Sequence, residues 1–293
     1  MQIAFHIGAN CTDEDRLLKS ILRNAETLLQ QGIAVPGPGK YRSLIREAIQ
    51  SLDGARPAPD TRDILIDAIV EEDDIKRLVL SNDNFIAIPK RIFDQGQFYP
   101  QVDMKIRGLH HLFPNDQILL FLGMRNPVSF LQETWRRADA GAVLDYLGPL
   151  SPLDMQWSDV IRRIKRAAPN TPLYVWCNED TPLIWEELIR LQSGIASSSP
   201  VIGRFDVLSG IVSDAGMQVI DASTTRRPDL GGDDLRDMIV EVLQEHALPD
   251  QIEDTIDLPG IDPAIITAMS EGYDDDLAII AEMEGVELIL PFD

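Results

Sequence analysis

Short apolar runs alternate with longer stretches of helical period along most of the chain, and nothing else in the sequence restricts the fold as strongly. The runs lie at residues 2–7, 33–35, 76–81, 117–123, 173–177 and 286–290. The richest, Ile118-Leu119-Leu120-Phe121-Leu122, shows no polar alternation, as a strand covered on both faces requires. Between the runs, apolar positions recur at helical spacing, as in Leu17, Leu18, Ile21 and Leu22, or Leu44, Ile45, Ala48, Ile49 and Leu52. Strands separated by helical crossovers predict an α/β fold: three layers, a mostly parallel sheet of about five strands, and helices on both faces. The first helix is expected to run from Thr12 to about Gln31, where Gly32 ends it. Residues 85–100, with Phe93, Phe98 and Tyr99, are expected to form an irregular lid or loop. Residues 205–225 have no clear period, 249–263 read as an acidic linker, and the helix over 264–283 is expected to break near Gly272.

Charge bounds the partners. The net charge of −22 is uneven: residues 229–293 hold 19 acids against the single base Arg236. A phosphate backbone would be repelled there, so no nucleic-acid partner is expected. No apolar run reaches the ~20 residues needed to span a bilayer, so no membrane partner is expected either. No basic segment with a cleavage site opens the chain, and two cysteines, Cys11 and Cys177, are too few for a disulfide framework. A cytoplasmic protein is expected, with one α/β domain over residues 1–293 and an acidic, mainly helical part at 229–293 packed on it.

Ligands of parallel sheets bind outside the carboxyl ends of the strands. The loops there are residues 8–12, 81–84, 124–127 and 177–181. The first leads into a helix, whose N-terminus would present free N–H groups to a phosphate. It carries Asp13, Glu14 and Asp15, however, and no lysine. Thr12 with Asp15 fits a capping box, which would satisfy the helix start from within. Cys11 is either a thiol activated by the helix end or, because the acids oppose that effect, a small buried residue. In Arg125-Asn126-Pro127, Asn and Pro make a good helix start, and an arginine just beyond a buried strand suits bidentate phosphate recognition. Lys40 and Arg42 stand in a turn and either hold an anion at the sheet edge or are solvated. His6 reads as a hydrogen-bonded interior residue. His110 and His111 cannot share one helix face, and no Cys/His/acid spacing matches a zinc site, so no metal is expected. No G-x-G-x-x-G and no triphosphate loop is present.

His6-Ile7-Gly8-Ala9-Asn10-Cys11-Thr12 followed by Leu17-Leu18 resembles the 5′-phosphosulfate loop of the sulfotransferase family, His-Ile-Gly-x-x-Lys-Thr-Gly-Thr-Thr. The match puts Cys11 where the family has its lysine, and Asp13, Glu14 and Asp15 on Gly-Thr-Thr. Phe121-Leu122-Gly123-Met124-Arg125-Asn126-Pro127-Val128 resembles the family's 3′-phosphate motif, with Glu133 at its serine and Trp135 at its tyrosine. Weaker echoes are Gly32-Ile33 to Pro36-Gly37, and Tyr273 with Asp276 before a terminal strand. The resemblance implies a P-loop nucleotide hydrolase-like, sulfotransferase-like fold and the cofactor 3′-phosphoadenosine 5′-phosphosulfate. Gly8, Ala9, Asn10, Cys11 and Thr12 would then hold the 5′-phosphosulfate, and Arg125 with the Glu133 position the 3′-phosphate. Asp83 or His110 would take a proton from a hydroxyl of a small-molecule or carbohydrate acceptor. The changed residues carry physical content: Cys11 cannot supply the positive charge that stabilises a sulfuryl group in flight. Glu133 would pair with Arg125, if close, and occupy the phosphate site. Two functions therefore stand: a transferase, or a non-catalytic relative that uses its cleft for binding or assembly.

Overall fold

The computed structural model describes residues 1–252 and 255–292. The elements, in order, are β1 (Gln2–His6), α1 (Arg16–Leu22), α2 (Ala25–Gln30), β2 (Ile33–Ala34), α3 (Arg42–Leu52), α4 (Thr61–Ile69) and β3 (Arg77–Ser81). Then come α5 (Val102–Leu112), β4 (Gln117–Met124), α6 (Pro127–Ala138), α7 (Val143–Leu147), α8 (Trp157–Ala167), β5 (Leu173–Cys177) and α9 (Thr181–Ser193). The chain closes with α10 (Asp214–Arg226), α11 (Gly232–His246), α12 (Pro249–Ile252), α13 (Pro263–Ala281) and β6 (Val286–Ile289).

All the expected strands join one sheet of order β2-β3-β1-β4-β5-β6, and every pairing is parallel. The sheet is thus six-stranded rather than about five, because the short terminal run pairs with β5. Alternate side chains of each strand enter opposite cores, which is why a run such as 118–122 carries no polar position. Ile3, Phe5, Leu80, Leu120 and Val175 pack against α3, α5 and α8. Ala4, Val79, Phe121 and Trp176 pack against α1 and α9 on the other face. A satellite core holds α10 and α11 together through Leu208, Ile220, Leu235 and Ile239. Among the described residues, no helix is long and apolar enough to cross a membrane.

The strand order reverses between β1 and β4, one branch running to β3 and β2 and the other to β5 and β6. A crevice at the carboxyl ends of β1 and β4 is the place where such sheets bind ligands.

Local departures from the sequence expectation have local causes. The first helix begins at Arg16 rather than Thr12, because Cys11, Glu14 and Asp15 all take left-handed backbone conformations. The Thr12–Asp15 capping box therefore does not form; the carboxylate of Asp13 accepts from Leu17 N at 2.9 Å instead. That helix also divides at Asn24, whose side chain turns away to bond both the N–H and the carbonyl of Ile202. Residues 85–100 are irregular, as expected, but they are no lid. Phe85, Ile92, Phe93, Phe98 and Tyr99 are buried, and Phe98 meets Phe130 and Trp157 edge-on. The α13 helix continues through Gly272. The aperiodic stretch 205–225 contains most of α10, started by a Ser213 cap. Of the acidic linker expected over 249–263, residues 253 and 254 lie outside the described residues.

Candidate functional site

The loop after β1 is built by backbone before side chains enter it. Ile7 N bonds Phe121 O at 2.9 Å, Ala9 N bonds Gly123 O at 2.8 Å, and Gly123 N returns to Gly8 O at 2.8 Å. The pairing with β4 thus runs past the end of the regular strand. Gly8 sits at φ +126°, where a Cβ would lie 3.0 Å from the Asp83 carbonyl, so the residue cannot carry a side chain without strain.

Asn10 is buried and its amide groups are engaged by protein. Its backbone N donates to Tyr99 Oη at 3.2 Å, and that hydroxyl donates back to Asn10 Oδ1 at 2.5 Å. Asn10 Nδ2 donates to Asn84 Oδ1 and to Ala87 O, each at 3.0 Å. The Thr12 hydroxyl donates to Ala9 O at 2.9 Å. Ala9 N and Asn10 N, two amides of the loop, therefore already have protein acceptors.

Cys11 lies buried beneath this loop. Burial pushes its thiol up to about 11, with Arg137 and Arg125 pulling weakly the other way. It is a neutral thiol at physiological pH, and the activated-thiol alternative falls away.

Arg125 projects from the end of β4 into the same loop, its Nη1 donating to Cys11 O at 2.9 Å and its Nε to Ser129 Oγ at 3.0 Å. The structure thus brings Gly8, Ala9, Asn10, Cys11, Thr12 and Arg125 together. Glu133 pairs with Arg136, one turn along its own helix, at 3.0 Å. That pairing is favoured because residues three apart on a helix are neighbours.

Asp83 also belongs to this end of the sheet. Burial raises its carboxyl pKa, and the charges of Asp15 and Asp13 raise it further, against Arg42 and His6. Asp15 is clamped by Arg42 through two bonds of 2.5 and 3.1 Å, and Arg42 Nε reaches Ser81 O at 2.9 Å. Arg42 therefore organises the first two loops, while Lys40 pairs with Glu71 at 2.6 Å. His6 is an interior residue bonded to Ser81 Oγ at 3.0 Å.

His110 is elsewhere. It stands in the last turn of α5, just ahead of β4, and therefore at the amino-terminal edge of the sheet, with Nε2 on Thr171 Oγ1 at 3.0 Å. A group there cannot reach a substrate bound at the carboxyl ends, which corrects its candidacy as proton acceptor.

Between the loops after β1, β4 and β5 lies a cleft of about 220 Å³, lined among others by Asp13, Arg16, Arg125, Glu179 and Trp185. Three of these side chains, Arg16, Glu179 and Trp185, are not singled out by the sequence, and the first two are charged. The Arg16 side chain makes no hydrogen bond or ion pair among the described residues, while its backbone N donates to Asp13 O at 2.8 Å. Glu179 accepts from Asn126 N at 2.8 Å, and burial raises its pKa against that bond and the charge of Arg125. The signal available for these two was position alone: Arg16 at a helix start, Glu179 in a loop after a strand. Among the described residues there is no cluster of His, Cys, Asp and Glu suited to a metal ion.

No family model matches the chain. No curated protein matches it either. Among solved structures, it is similar to a crystal structure of a sulfotransferase from Alicyclobacillus acidocaldarius. The match covers 82% of this chain and 96% of that one, with a TM-score of 0.41 and 13% identity. That likeness is distant.

Proposed function

We propose that this chain is a sulfotransferase-like protein that has relinquished the phosphosulfate donor and acts as a binding protein. Its ligand, a small molecule or carbohydrate, occupies the cleft between the loops after β1, β4 and β5. We place it in the cytoplasm, where its two buried, unpaired thiols are compatible with a reducing milieu.

The observation that carries this reading is the internal engagement of the first loop. A 5′-phosphosulfate needs backbone donors and a cation. Here Ala9 N and Asn10 N already donate to Gly123 O and Tyr99 Oη, and Cys11 stands at the cationic position. The neighbouring carboxylates of Asp13, Asp15 and Asp83 repel a further anion. These residues do not fit the donor, so no transfer step is derived through it. One observation favours the transferase alternative, the approach of Arg125 to Cys11 O at 2.9 Å.

The test is thermal unfolding with and without adenosine 3′,5′-bisphosphate. A ligand at a hundred times its Kd stabilises by ~2.7 kcal/mol, a shift of several degrees. The expected outcome is no shift at millimolar nucleotide. A saturable shift abolished by Arg125→Ala would overturn the proposal in favour of the transferase.

A further inference from the structure

The His110-His111 pair, which the cleft does not use, lines a different pocket. It lies at the amino-terminal edge of the sheet and has a volume of about 450 Å³, within the range of small-molecule sites. Its basic groups are Arg56, Arg62, His110 and His111, and among the described residues no carboxylate lines it. In a chain of net charge −22, a concavity whose ionisable lining residues are all basic is a local reversal of sign. Low-dielectric walls focus such a field on whatever enters.

The bases are not equivalent. Arg62 is fully engaged, with Nε and Nη2 on Asp116 at 2.7 Å each and Nη1 on Asp63 at 2.9 Å. His110 is held by Thr171. Arg56 alone among the four is exposed and makes no hydrogen bond or ion pair with the described residues. Its loop is stiffened by Pro57 and Pro59 and tied down by Ala55 N to Leu52 O at 2.7 Å and Thr61 N to Ala58 O at 3.1 Å. The remaining lining is Leu112, Pro114 and His111.

One open guanidinium matches one carboxylate through its planar fork. The apolar lining beside it, Pro57, Ala58, Pro59, Leu112 and Pro114, suits a ligand with an apolar body rather than a compact polar ion such as phosphate. We propose that this pocket binds a small aromatic carboxylate, its carboxylate on Arg56 and its ring against the prolines and His111. This site is independent of the cleft and of the function proposed for it.

The experiment is calorimetric titration of the full chain with 2-naphthoate, alongside the neutral analogue 2-naphthylmethanol, followed in parallel by the imidazole proton resonances of the four histidines. The expected result is saturable binding of the carboxylate that moves the resonances of His110 and His111, with the alcohol at least about tenfold weaker. Arg56→Gln should weaken the carboxylate about tenfold and leave the melting temperature of the free protein unchanged, since the side chain makes no internal bond. Arg56→Lys, which keeps the charge and loses the fork, should fall between. No saturable binding at about 5 mM, an alcohol binding within about twofold of the acid, or an Arg56→Gln protein binding like the parent would each overturn the proposal. Binding that leaves both histidines unmoved would overturn it too. A nucleotide shift in the unfolding test above would leave this result untouched.

Discussion

Tyr99→Phe removes one oxygen, and that oxygen closes the loop after β1. The Tyr99 hydroxyl is fully buried, accepts from Asn10 N at 3.2 Å and donates to Asn10 Oδ1 at 2.5 Å. Phenylalanine preserves the ring packing against Phe98, Phe130 and Trp157, so no cavity larger than a hydroxyl forms. What is lost is one partner of two polar groups that stay buried. Leaving a buried donor or acceptor unsatisfied costs ~1–3 kcal/mol, so the two together predict a loss of about 2–6 kcal/mol. For a chain of this size each kcal/mol moves the melting temperature by ~2–4 °C, giving a fall of roughly 4–24 °C. Urea unfolding followed by circular dichroism measures the free energy, and calorimetry the temperature. A double-mutant cycle with Asn10→Ala isolates the pair, with a coupling of at least about 1 kcal/mol expected. A Tyr99→Phe protein within ~0.5 kcal/mol of the parent would refute the reasoning. It would mean that Asn10 N is not committed to the hydroxyl and that the loop retains a donor for a phosphate.

Three further outcomes follow from the same site. Gly8→Ala, at φ +126° and 3.0 Å from the Asp83 carbonyl, should cost about 1–3 kcal/mol in urea unfolding. Asp83→Asn should stabilise the protein at neutral pH, because a carboxyl whose folded pKa is raised opposes folding once the unfolded chain ionises. That gain should vanish as pH falls through the ordinary aspartate value of 3.8, and melting curves of both proteins from pH 3 to 8 check it. Cys11 and Cys177, pushed up by burial to about 11 and about 12, should resist iodoacetamide at pH 8 in the native protein and label rapidly once unfolded; mass spectrometry reads the difference.

The sheet was legible because its strands are buried on both faces, and a run such as Ile118 to Leu122 has no other way to exist in water. The position of the site was legible for the same reason, since a parallel sheet has one end at which chains turn into helices. What the sequence did not disclose is which partner each loop group takes. The acids at 13–15 read as a helix cap, yet only Asp13 caps; Glu14 and Asp15 turn left-handed and pair with Arg137 and Arg42. Arg137 and Arg42 lie 123 and 27 residues away, and no local pattern encodes such distances. Tyr99 was similarly hidden, because an aromatic in an irregular stretch gives no sign that its hydroxyl belongs to residue 10. Glu133 was read as standing at the family's serine position and pairing with Arg125 if close, whereas helix spacing sets it against Arg136.

The placement of β1 between β3 and β4 has a consequence for how the molecule comes into being. Every hydrogen-bonded neighbour of the first strand lies some seventy to a hundred and twenty residues downstream. Such distant closures are slow to form, since the chain loses much freedom before any contact rewards it. Until Met124 is available, the first strand has only β3 beside it, and the edge that β4 takes is unpaired. The crevice between β1 and β4 therefore arises in the same cooperative event as the middle of the protein, and no shorter piece that stops ahead of β4 can carry it.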